Sequence, residues 1–242
     1  MANVDGKIPY DKSIIISTEV SLEFLKKLVE ETKDVQGIGG YKIGMQLGLT
    51  ETLAKTVSAI RERTSLPIIF DYQKAGNDIP EMGKVFAKIC ADARVDSAIL
   101  FPFAGSMTTR SWIQALQDNG TNVMVGAHMT HPEFLWSEGG IINDDGPARV
   151  FEIAAKAGVK DFVVPGNKLE VVATYKKLLD NILGEGTYSL YAPGFVAQGG
   201  SIDAMDKVAG NNWHAIVGRG IYEAPSMREA AEILTASLGF SQ

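Results

Sequence analysis

Eight short β-branched or apolar runs recur along this chain, each followed by a longer stretch with helical spacing. They are Ser13–Thr18 before Ser21–Thr32, Gly39–Gly44 before Thr50–Arg63, and Leu66–Asp71 before Glu81–Ala93. Ser97–Phe101 then precedes Ser106–Asp118, and Asn122–Gly126 precedes a longer loop and a helix over Pro147–Ala157. Asp161–Val164 precedes Lys168–Leu183, Tyr188–Tyr191 precedes Asp203–Val208, and His214–Val217 precedes Ser226–Leu238. Strict alternation of strand and helix predicts a parallel sheet covered by helices. The average of about 30 residues per unit is that of a βα unit in a closed barrel. An open doubly wound sheet usually carries G-x-G-x-x-G at its first turn, and this chain does not. The pattern predicts an α/β fold, a (β/α)8 TIM barrel, with residues 1–242 forming a single domain.

Composition narrows what such a barrel does. The chain has 23 Lys+Arg against 29 Asp+Glu, a net charge of −6 that offers no footprint for nucleic acid or an anionic membrane. No apolar run approaches the roughly 20 residues of a membrane helix, and residues 1–12 do not read as a signal peptide. The single cysteine, Cys90, sits in a helical apolar pattern and reads as inert core, consistent with a cytoplasmic location.

In a barrel the active face lies at the C-terminal strand ends, so polar residues there are informative. Lys42 lies between Tyr41 and Ile43, and Asp71 ends an apolar run that continues through Lys74 to Asp78. Lysine in an apolar strand is costly unless paired, so carboxylates and ammonium groups are expected to satisfy one another and position one lysine as a proton donor. A solvated loop cluster explains Lys74 and Asp78 alone but not Lys42 and Asp71. After the last two strands stand Pro193, Gly194 and Gln198, then Gly218 and Arg219. Glycines admit backbone N–H groups to an anion and Arg supplies a bidentate donor, which favours phosphate binding over turns that merely close tightly. His128 and His131 lack a convincing third metal ligand and are expected to shape the loop after the fifth strand. His214 should face the opposite, stabilising end of the barrel. Asn143–Asp145 reads as a turn and helix cap.

The chain resembles the orotidine 5'-phosphate decarboxylase family in YKIG around Lys42, DYQKAGNDIP from Asp71, MTHP from Met129, PGFVAQGG from Pro193 and IVGRGIY from Ile216. The resemblance spans most of the chain and implies cofactor-independent decarboxylation of orotidine 5'-monophosphate to UMP, with no metal. It implies that Lys74 protonates C6 beside Asp71, that Lys42 bridges Asp71 to the ribose hydroxyls, and that Asp78 enters the neighbouring active site of a homodimer. Thr130 would contact the pyrimidine, and Gln198, Gly218 and Arg219 would hold the 5'-phosphate under a loop opened by Pro193 and Gly194. The family's cluster reads D-x-K-x-x-D, whereas this chain reads D-x-x-K-x-x-x-D. Asp71 and Lys74 therefore converge only if the chain bulges or turns after Asp71, where Gly76 offers the needed backbone freedom. Glu19 stands where the family has Asp, and its extra methylene is expected to shift a ribose contact. Two other readings are a metal-dependent sugar-phosphate decarboxylase or aldolase of the same superfamily, and a catalytically silent nucleotide-binding barrel.

Overall fold

The computed structural model describes residues 7–196 and 199–241. Eight parallel strands, β1 (Lys12–Thr18), β2 (Ile38–Ile43), β3 (Ile68–Asp71), β4 (Ser97–Leu100), β5 (Asn122–Gly126), β6 (Asp161–Val163), β7 (Ser189–Pro193) and β8 (Trp213–Val217), form a closed barrel in chain order. Closure pairs β1 with β8 from Lys12 opposite Trp213 to Ile16 opposite Val217. The α/β barrel expected from the alternating pattern is the fold observed.

Successive strand residues face opposite sides, so each run supplies two cores. Ile15, Ile69, Ile99, Met124, Val163, Tyr191 and Ile216 fill the barrel. Their neighbours, such as Ile14, Ile16, Tyr41, Ile43 and Phe70, pack outward in the core shared with the helices. That shell comprises α1 (Leu22–Thr32), α2 (Met45–Thr50), α3 (Leu53–Arg61), α4 (Met82–Ala93), α5 (Ser106–Asp118), α6 (Gly146–Lys156), α7 (Leu169–Leu183), α8 (Ile202–Ala209), α9 (Arg219–Tyr222) and α10 (Met227–Ala236). Ser21, Ser201 and Ser226 start α1, α8 and α10 by accepting the N3 amide, which satisfies a donor that has no helical partner. None of the described helices is long and apolar enough to cross a membrane.

Some boundaries differ from the periodic pattern. The Thr50–Arg63 segment does not start one helix at Thr50. That residue ends α2, and Thr52, at φ 63°, caps α3 by accepting from the Lys55 amide. The seventh strand reaches Pro193, whose carbonyl accepts from the Gly166 amide. Proline lacks a donor but keeps an acceptor, so it can end a strand in this way. Asp145 occupies the cap position of α6, but its side chain makes no capping bond. Instead Asn143 accepts from the Asp145 amide and Asp144 from Ser137, tying the turn to the 3-10 segment Trp136–Glu138. His214 lies at the start of β8, bonded to Ser13 at 2.8 Å and packed on Tyr191, at the end away from the strand C-termini. Cys90 is buried in α4, and burial pushes its thiol up to about 12.

Candidate active site

A cavity of about 550 Å³ opens at the C-terminal strand ends, a size suited to a small-molecule ligand. Lys42 enters it because Tyr41 and Ile43 point outward; by the same alternation Asp71 shares the inner side of β3 with Ile69. Lys42 Nζ donates to Asp71 Oδ2 at 2.6 Å, and both residues are buried. Asp71 Oδ1 is also buried and has no hydrogen-bond partner among the described residues. Buried polar atoms normally have a partner, which makes this oxygen at the cavity wall a candidate to meet a bound ligand.

The chain turns straight after β3. Ala75 donates its amide to the Tyr72 carbonyl at 2.7 Å, Asn77 donates to Lys74, and Gly76 takes φ +92°. This turn absorbs the extra residue between Asp71 and Lys74 and brings both to the cavity wall. Lys74 is exposed and makes no ion pair among the described residues, unlike Lys42. Asp78 does not line this cavity. It is exposed, accepts from the Ile79 amide, and its carbonyl accepts from Thr108.

Glu19 also lines the cavity, but its carboxylate is engaged by the start of α2, accepting from the Gln46 amide at 3.3 Å. Gly44 caps α2 without a side chain, and a Cβ there would collide with the Glu19 carboxylate. Glutamate therefore reaches across from β1 to cap a helix whose own cap residue cannot. The longer side chain has a job that the chain order alone does not display.

At the other end stand Pro193, Gly194, Gly218 and Arg219. Gly194 takes φ +112°, and its carbonyl accepts from the Gly200 amide, so the β7 loop folds back on itself. Gln198 lies outside the described residues. Arg219 begins α9 exposed and unpaired among the described residues, next to Tyr222, whose phenol is raised above its ordinary value chiefly by burial. Ile99, Phe101, Val163 and Ile216 form the apolar floor, with Thr130 and His128 on the wall after β5. Burial and the Lys168 ammonium push His128 down to about 4, which keeps it neutral. His131 is not a lining residue.

Pattern reading along the chain did not find Ser17, Gln73 or Tyr222, which also line the cavity. Ser17 was open to the alternation argument, since it lies between the outward-packing Ile16 and the buried Thr18 on β1. The others depend on loop geometry.

Comparison with known proteins identifies the family and the fold. A family model described as "Orotidine 5'-phosphate decarboxylase / HUMPS family" matches residues 15–234. The orotidine 5'-phosphate decarboxylase of Methanosarcina barkeri is 33% identical over 214 residues, covering 86% of this chain and 89% of its own. That of Pyrococcus abyssi is 31% identical, covering 85% and 88%. The solved orotidine 5'-phosphate decarboxylase of Pyrococcus horikoshii aligns with a TM-score of 0.77 at 26% identity, over 94% of this chain and all of its own. The enzyme of Methanocaldococcus jannaschii, solved with the inhibitor BMP, shares the fold with a TM-score of 0.81 at 23% identity, over 96% of this chain and 100% of its own. With the barrel, the paired Lys42 and Asp71, and these relatives in view, the chain belongs to the orotidine 5'-phosphate decarboxylase / HUMPS family.

Proposed function

We propose that this chain converts orotidine 5'-monophosphate to UMP and CO2, and that Lys74 supplies the proton. The observation that carries this reading is one cavity with a buried Lys42–Asp71 pair and, on the same side, Lys74 without an ion pair among the described residues, with Arg219 on the other. The C6–carboxylate bond breaks, CO2 leaves, and the electron pair remaining on C6 takes a proton from the Lys74 ammonium. A cation already in place stabilises that developing carbanion without reorganising during the step. The Lys42 ammonium holds Asp71 in place and bridges it to the ribose hydroxyls. Glu19 borders the same wall, and Thr130 meets the pyrimidine ring.

Gly218, Arg219 and Gln198 grip the 5'-phosphate, with the Pro193–Gly194 segment opening the loop above it. Binding energy from that remote group orients the carboxylate for departure. The catalytic unit is a homodimer in which Asp78 serves the neighbouring cavity. Its position outside its own cavity supports this, as do the exposed Ile79, Met82, Val85 and Ile89 beside it. The chain works as one domain in a cytoplasmic setting.

Loss of orotidine 5'-monophosphate absorbance tests the reaction. Turnover is expected to persist in EDTA and to fall at least about 1,000-fold in Lys74→Ala, with UMP still bound. Full activity in that variant would remove Lys74 from the chemistry. Inactivation by EDTA would instead favour a metal-dependent sugar-phosphate reaction.

A further inference from the structure

The segment from His128 to His131 carries Thr130 along the cavity wall, yet the bonds that hold it come from the start of α7. Asn167 Nδ2 donates to the Thr130 carbonyl at 3.1 Å. The adjacent Lys168 directs its ammonium to His128 Nε2 at 3.2 Å, the His131 carbonyl at 3.4 Å, and both Glu138 oxygens at 3.0 and 3.3 Å. Glu138 in turn accepts from the Phe134 amide, which fixes the far side of the same loop. An ammonium has no acceptor, so His128 Nε2 must accept and its proton must lie on Nδ1. Nδ1 then donates to Tyr175 Oη, 2.8 Å away on α7.

We propose that Lys168 is a positioning residue that, with Asn167, clamps the loop after β5 and so sets where Thr130 stands against the substrate base. The proposal rests on the reading above in which Thr130 meets the pyrimidine ring. The contacts are matched to a neutral histidine. Protonation of Nε2 would set an N–H against an ammonium and break the link. The charged or titratable groups facing His128 are Lys168 and Tyr175 from the α7 side, with Glu138 and His131 from its own loop. Lys168 lowers the histidine and Glu138 raises it, so the two removals have opposite signatures.

The test uses the intact protein, with proton NMR of the His128 ring and steady-state kinetics on orotidine 5'-monophosphate. In Lys168→Met the His128 midpoint is expected to climb from about 4 toward 6.5, and KM to rise about tenfold with kcat within about twofold. Lys168→Arg should restore much of the KM. Glu138→Gln should leave the midpoint at or below about 4 while also raising KM, and it carries the kinetic test if Lys168→Met does not fold. An unchanged KM in folded Lys168→Met or Glu138→Gln overturns the positioning role, whatever His128 does. A His128 midpoint that stays put in Lys168→Met overturns the clamp itself. Thr130→Ala separates the underlying reading: unchanged KM there removes the base contact, while the His128 titration still judges the clamp.

Discussion

Lys42 shows how much one residue's setting decides. Its neighbours are buried against helices, so its stem crosses the barrel wall and its charge must find a partner inside. Asp71, on the next strand, is that partner at 2.6 Å. Removing one member of a buried pair leaves an uncompensated charge, so Lys42→Met is expected to lose about 3 kcal/mol in urea unfolding, and Lys42→Met/Asp71→Asn appreciably less. Equal losses would show that the pair is not the source. The charge inside an apolar run made this residue readable in the sequence. Glu19 was not readable in that way. Its role depends on a bare Gly44 cap, and the two are neighbours only because β1 lies beside β2. Lys168 escaped notice for a similar reason, since its partners are 30 and 40 residues away.

At the scale of elements, short runs rich in β-branched, aromatic or other apolar residues located all eight strands, because a strand buried on both faces leaves a largely apolar signature. Helix ends were less legible. The break between α2 and α3 turns on the positive φ of Thr52, and α9 is one short turn set by the loop that precedes it. That short turn places Arg219 at the cavity with no protein partner among the described residues. Arg219→Ala should therefore weaken UMP binding about 100-fold, from the loss of charge-assisted bonds to phosphate, while shifting the melting temperature by no more than a degree or two. Isothermal titration and thermal melts read the two effects separately. A melting temperature that falls in step with affinity would make the arginine structural.

Two features act at the scale of the whole molecule. Met82, Val85 and Ile89 form an exposed stripe on α4 next to Asp78. Under the proposed homodimer, a charge at Val85 is expected to give a monomer by sedimentation and to reduce turnover sharply, since Asp78 would no longer reach a second cavity. A monomer with full activity would end the shared-site reading. The other feature is the seam where β1 meets β8. His214 there is buried and held down to about 3, whereas in the unfolded chain it titrates near 6.5. As pH falls below about 6.5 the unfolded state gains a proton that the folded state refuses, so stability declines down to about pH 3 and this contribution then levels off. At pH 5 the loss is about 2 kcal/mol relative to neutral pH, and His214→Asn should lose correspondingly less over the same interval.

The seam also dictates when the molecule becomes competent. Ser13 and His214 are 201 residues apart, and strands from both ends of the chain contribute to the cavity, β1 to β3 with Ser17, Lys42 and Asp71 and β7 and β8 with Pro193 and Ile216. A chain growing on the ribosome holds Lys42, Asp71 and Lys74 long before it holds Arg219. Non-local pairing of this kind forms late, because the entropy of closing so large a loop must be met first. Nucleotide affinity in stalled nascent chains should accordingly switch on only after Arg219 has emerged, so the ligand would act as a clock for closure of the barrel.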